Sequence, residues 1–257
     1  MSQIGFSMFL DDRGITSLQA SQDYGNFASA TLSLRVQSLI NAKRALACSS
    51  CIVRNKNQYR LFFTDNTAIY VTMNGRKVGA MMPVQFSHAA LKVCNLEASD
   101  GAERIYFGGA NGMVYRMDSG TSFDGDPITA FLTTHFDNKH LQWLKSYKNS
   151  LTIEAKGSGY AEVDFSYELQ YADPDVPQPA TAITKEVSFG APTRWDDAGV
   201  TWDTLFWDGR SLQPLTGLRL EGDGSNISFT IAKSSDYFSP VRMTGLHYRY
   251  VIRRALR

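Results

Sequence analysis

Three of the four tryptophans fall in one stretch, RWDDAGVTWDTLFWDGR at 194–210, and each is followed by aspartate. Indole rings stack on sugars, mark propeller blades or fill β cores, so Trp195, Trp202 and Trp207 open three readings. WD-repeat propellers place one Trp-Asp in each blade of roughly 40 residues. Spacings of seven and five residues therefore exclude that signature. A sugar platform needs exposed indoles on one surface, whereas Trp202 and Trp207 point to opposite faces of any single strand. A strand, turn, strand path fits better, with the indoles in core layers and the aspartates bonding turn amides. Contact with a neighbouring subunit and sugar binding stay open beside it.

The other residues with chemical potential form no recognisable constellation. His135, Asp137 and His140 in THFDNKH are metal-ligand types, but their spacing matches no metal motif, and an end-of-strand loop explains them. Cys48 and Cys51 form a lone C-x-x-C and Cys94 makes the count odd, which fits buried free thiols better than a zinc or redox site. The acid pairs Asp11–Asp12 and Asp124–Asp126 sit beside Gly or Pro, as turn residues do. G-x-S-x-G, P-loop and dinucleotide fingerprints are missing from the sequence. The sequence thus predicts no catalytic residue, no cofactor and no metal, and the expected class is non-enzymatic.

One charged feature stands out. In GLHYRYVIRRALR, read as a single strand, Leu246, Tyr248, Tyr250 and Ile252 take one face, and His247, Arg249, Val251 and Arg253 take the other. Arg254 and Arg257 extend the positive end. Three roles are open for Arg249, Arg253, Arg254 and Arg257: contact with a DNA backbone, contact with an acidic patch on the next subunit, or protection of an edge strand against aggregation.

Around these residues the chain reads as mainly β. Of its 257 residues 43% are hydrophobic, enough for a substantial core, and 26 Lys+Arg against 25 Asp+Glu give no global call for nucleic acid or membrane. No run approaches the roughly 18 apolar residues of a membrane span, and the N-terminus lacks a signal-peptide pattern, so the expectation is a protein without a membrane span. AEVDFSYELQY alternates cleanly, Val163, Phe165, Tyr167, Leu169 and Tyr171 on one face. SLTIEAK and NISFTIA do the same. ASATLSLRVQSLINAKRAL, residues 28–46, is a helix or an extended crossing segment.

RLFFTDNTAIYVTM (60–73) aligns without gaps to RIYFGGANGMVYRM (104–117), an offset of 44, with Phe63 matching Phe107, Ala68 matching Gly112 and Ile69 matching Met113. FLDDRGITSL from Phe9 is a looser third copy. Repeated hairpins at blade length predict a partial β-propeller over 1–127, short of the usual four blades and so part of a longer protein or completed by another chain. Met1 lies directly ahead of a strand, as in a chain that begins within an architecture. Residues 128–257, with a Pro-rich loop at 174–179 and an Asp-Gly hairpin signal in EGDGSN, predict an antiparallel β-sandwich.

DRGIT, YGNF, RVQSLI, YRLFFTDNTAIYVT and above all GMVYRMDSGTSFDG resemble the tail nozzle or hub proteins of short-tailed bacteriophages, the group that includes packaged-DNA stabilisation proteins. The resemblance is densest over residues 9–136 and continues loosely through SSDYFSP and the Arg-rich C-terminus. It implies a virion protein assembled in the host cytoplasm, a cyclic homo-oligomer of six- or twelvefold symmetry, and portal, adaptor or other tail proteins as partners. It implies a channel that retains DNA until ejection. The chain is shorter than such proteins generally are. A host-recognition module that binds surface glycan through Trp195 to Trp207 is the alternative.

Overall fold

The computed structural model describes residues 8–12, 14–17, 32–75, 77–139, 143–147, 150–157, 159–179, 183–189, 213–238 and 240–255. The fold is all-β: antiparallel sheets and one short α-helix among the described residues. No helix there is long and apolar enough to cross a membrane. The chain divides into two compact units, Met1–Gly120 and Thr121–Arg257. The break lies ahead of the boundary expected at 127/128, because β10 (Ser122–Phe123) pairs with β11 (Asp126–Thr133) inside the second unit.

In the first unit, β3 (Ala47–Val53), β4 (Gln58–Phe63), β5 (Thr67–Asn74) and β6 (Lys77–Gln85) form a four-stranded meander, and β7 (Ala90–Glu97), β8 (Glu103–Gly109) and β9 (Val114–Arg116) form a three-stranded one. The three similar segments all make hairpins: β1 (Met8–Asp11) with β2 (Gly14–Ser17), β4 with β5, and β8 with β9. The ungapped alignment fails at the tips. Phe62 faces Ala68, but its counterpart Tyr106 faces Arg116 rather than Gly112. The return strand has slipped by four residues, an even number, so the faces are kept. Phe63 and Phe107 are both buried, whereas Ile69 is buried and Met113 exposed.

β4 is buried on both faces. Tyr59, Leu61 and Phe63 join Ile15, Ile40, Ile69, Val71 and Met73 in one core. On the other face Phe62 continues a line of rings through Phe86 and Phe107 to Tyr115, with centroids 5.0–6.1 Å apart. The segment read as helix or crossing strand is a seven-residue helix, α1 (Gln37–Lys43), between two 3-10 turns. Its Ile40 is the buried side chain, and Ser33, just ahead of it, accepts the Ile15 N–H at 3.0 Å.

The second unit has a five-stranded sheet, β10-β11-β18-β14-β15, and two three-stranded sheets, β17-β12-β20 and β16-β13-β19. The remaining strands are β12 (Trp143–Ser146), β13 (Ser150–Gly157), β14 (Gly159–Leu169), β15 (Ile183–Phe189), β16 (Gln213–Arg219), β17 (Asp223–Gly224), β18 (Ile227–Ser235), β19 (Val241–His247) and β20 (Val251–Ala255). The core follows the alternation read from the sequence. Leu151, Ile153 and Ala155 of β13, Val163, Phe165, Tyr167 and Leu169 of β14, and Ile227, Phe229 and Ile231 of β18 are buried together.

Tyr171 departs from that alternation and is exposed, because β14 stops at Leu169. Gln170, Tyr171 and Ala172 have φ of 53°, 59° and 58°. Left-handed backbone is costly for residues with a Cβ, and Gln178 of the Pro-rich loop holds it: its amide donates to the Leu169 and Asp173 carbonyls and its Oε1 accepts the Leu169 N–H. EGDGSN does not close a hairpin between neighbours. It carries the chain from β16 to β18 in a different sheet, and its Asp223–Gly224 pairs with β12.

Candidate interaction surface

The C-terminal segment is not one strand. β19 ends at His247 and pairs with β13, whereas β20 starts at Val251 and pairs with β12. Tyr248 and Tyr250, on the connection, turn inward against Tyr147, with ring centroids 6.3 and 6.4 Å away, and Arg249 between them is exposed. Beyond the break the expected pattern is lost: Val251 is 57% exposed and Ile252 43%. Arg253 Nη1 lies 3.6 Å from Asp223 Oδ2, a loose surface pair. Arg254 stands opposite Leu144 in the register. Arg257, and with it Trp195, Trp202, Trp207 and His140, lies outside the described residues.

β12, which holds β20, is pinned from within. Lys145 is fully buried, and its ammonium donates to the carbonyls of Ser225 (2.6 Å) and Trp143 (3.3 Å), while burial lowers its pKa. Trp143, two residues earlier on the same strand, is 45% exposed. The only partner of β20 among the described strands is β12, so its other edge is unpaired there.

A second strand shares these features, and sequence reasoning did not single it out. β11 pairs with β18 from Ile128↔Ser235 to Thr133↔Thr230, while β10 covers its opposite edge only at Asp126 and Pro127. From Thr129 to Thr133 every residue is exposed, Phe131 at 78% and Leu132 at 53%. Ala130, Phe131 and Leu132 are consecutive, so apolar groups lie on both faces of the strand. That pattern normally belongs to strands covered on both sides. It was the available signal, and among the described residues the strand stands uncovered. Asp124, Asp126 and Asp236 are exposed around the N-terminal end of this strand.

The polar clusters inside each unit read as structural. Arg60 on β4 is 1% exposed; its guanidinium donates to Asp118 Oδ2 (2.8 Å) and to Gln58 Oε1 (2.9 and 3.2 Å) and lies 4.1 Å from the Tyr70 ring centre. Burial alone would raise the Asp118 carboxyl, but the bonds from Arg60 and Lys56 outweigh it and lower the pKa. Asp137 accepts from Lys139 (2.6 Å) and the Tyr248 hydroxyl (2.9 Å), which outweigh burial and bring it down to about 2. His135 is exposed, and His140, the third member of the His135–Asp137–His140 pattern, lies outside the described residues. Burial pushes the Cys51 thiol up to about 11 and raises Cys48; Cys94 is exposed. No group of three or more His, Cys, Asp or Glu capable of holding a metal occurs among the described residues. Comparison with known proteins finds no matching family model and no matching curated protein.

Proposed function

We propose that the protein is a structural component of a bacteriophage tail, a ring subunit of nozzle or hub type that assembles with copies of itself, helps to form the DNA channel and has no chemistry of its own. The observation that carries this reading is a second unit whose strands β11 and β20 expose apolar side chains on both faces and leave an edge unpaired among the described residues. Such strands are liabilities in an isolated domain and assets in an assembly. The resemblance of GMVYRMDSGTSFDG and its companion segments to nozzle proteins supplies the kind of assembly.

In this reading the first unit is a partial propeller and the second a β-sandwich. The four-stranded meander has the size of one blade, and the three-stranded meander repeats it without a fourth strand. Its last strand, β9, leaves Val114 75% exposed, where a strand from another chain would complete the blade. In the second unit, the shared core of β14 and β18 with β13 and β19 supports two sheets packed face to face. Arg249 and Arg253 then face a subunit neighbour or channel DNA.

Quantitative peptide mass spectrometry of purified particles tests the proposal. A fixed stoichiometric ratio to the portal is expected. Absence from the particle overturns the ring reading and turns attention to Trp195, Trp202 and Trp207 as a glycan-binding surface, tested by glycan array.

A further inference from the structure

We infer that β20 of one copy adds to the open edge of β11 of the next, antiparallel, joining the sheets of neighbouring subunits into one. The inference rests on the ring reading and names the contact that would close the ring. Both strands lie in the same compact unit, both are paired on one edge alone over the relevant residues among the described strands, and Val251–Arg253 and Thr129–Thr133 are exposed on both faces. Each therefore offers a row of unpaired N–H and C=O groups beside uncovered apolar side chains, the two components of recognition by strand addition.

Charge chooses the partner and the direction. The N-terminal end of β11 is acidic: Asp126 and Asp124 precede it, and Asp236 follows Ser235, the register partner of Ile128. β20 runs from apolar Val251 and Ile252 to basic Arg253 and Arg254. Antiparallel addition sets Val251 and Ile252 against Leu132 and Phe131 and carries the basic end toward the acidic turn, within about a Debye length of 10 Å. Parallel addition would carry the arginines away from it. Pairing β20 with itself would bring like charges together, and pairing β11 with itself would add no basic residue beside its acidic ends. Because donor and acceptor edges differ, the contact is heterologous, and copies related by a closing rotation form a ring.

Among the described residues Arg253 is held at home by Asp223 at 3.6 Å, a loose exposed pair that solvent weakens, so it is available to a neighbour. β10 stops the addition at Pro127, so the usable edge is Ile128–Thr133, close in length to β20.

The test is disulfide trapping in the full chain with Cys94→Ser, after its mass has been followed by light scattering over a range of concentrations. Phe131→Cys together with Ile252→Cys should give interchain linkage, mapped by peptide mass spectrometry to 131–252, and a ladder of covalent oligomers. Both positions are exposed, Phe131 at 78% and Ile252 at 43%. Phe131→Asp should shift assembly to at least tenfold higher concentration, and Arg253→Glu likewise. Oligomers that form without 131–252 linkage, or linkage of 131–131 in the Phe131→Cys variant alone, overturn the edge pairing and leave the ring reading intact. A chain that stays monomeric at all concentrations overturns the pairing; the ring reading is then decided separately by particle composition.

Discussion

Removing Asp118 should harm the first unit more than removing Asp118 and Arg60 together. Arg60 is 1% exposed and is neutralised by Asp118 at 2.8 Å. At an effective dielectric near 20, such a pair is worth about 4 kcal/mol, much of it repaying the desolvation of the guanidinium. Asp118→Ala leaves that cation buried and supported only by Gln58 and the Tyr70 ring. The expected loss is about 3 kcal/mol, near the low end for a broken buried pair because those two contacts persist. Arg60→Met in the same background removes the charge and fills the space with an apolar side chain, and should recover about 1–2 kcal/mol. All four tryptophans lie in the second unit, so their fluorescence does not report on this change. Hydrogen exchange read by mass spectrometry on peptides of β4 and β5 does, with peptides of β14 and β18 as internal reference. Exchange in β4 and β5 should quicken about 100-fold in Asp118→Ala and slow again in the double variant. If the double variant exchanges faster than Asp118→Ala, the charge argument is refuted and the guanidinium acts mainly as packing.

Three further outcomes follow from geometry. Gly222 has φ +120°, and a Cβ there would sit 2.5 Å from Cδ1 of the buried Leu169, so Gly222→Ala should cost about 2–4 kcal/mol; Gly125→Ala, at φ +92° with nothing within 4 Å, should cost about 1 kcal/mol. Urea unfolding followed by tryptophan fluorescence distinguishes the two, and equal losses would show that the contact with Leu169 is harmless. Cys51, with its pKa near 11, holds only about 1 in 1,000 molecules as thiolate at pH 8, so alkylation should label exposed Cys94 first and Cys51 only on unfolding; prompt native labelling of Cys51 contradicts this. Asp137 has its folded pKa below the usual 3.8, so its contribution is complete above that value and is lost as pH falls toward about 2. The stability gap between the protein and Asp137→Asn should therefore shrink between pH 5 and pH 2, and a gap that stays constant would place the effect in packing instead.

Much of the second unit's core was legible because alternation is a local property. Val163, Phe165, Tyr167 and Leu169 face inward because successive residues of a strand point to opposite sides, and the same rule placed Ile227, Phe229 and Ile231. The hairpins of the first unit were likewise readable from turn residues between apolar runs, whereas the stretch around Ile40 read equally as helix or crossing strand until packing made it a short helix. What the residues along one segment could not decide was which segments meet. GLHYRYVIRR alternates well enough to be one strand, yet it splits between two sheets because β13 and β12 offer separate edges. Arg60 sits in a segment whose charge suggests solvent, and only the return of the chain at Asp118, far along the sequence, makes its burial tolerable. The same holds for the exposed strands β11 and β20. Composition shows that Phe131, Leu132, Val251 and Ile252 are apolar; that they stand exposed on strands with open edges depends on sheet order, which is set by contacts between distant residues.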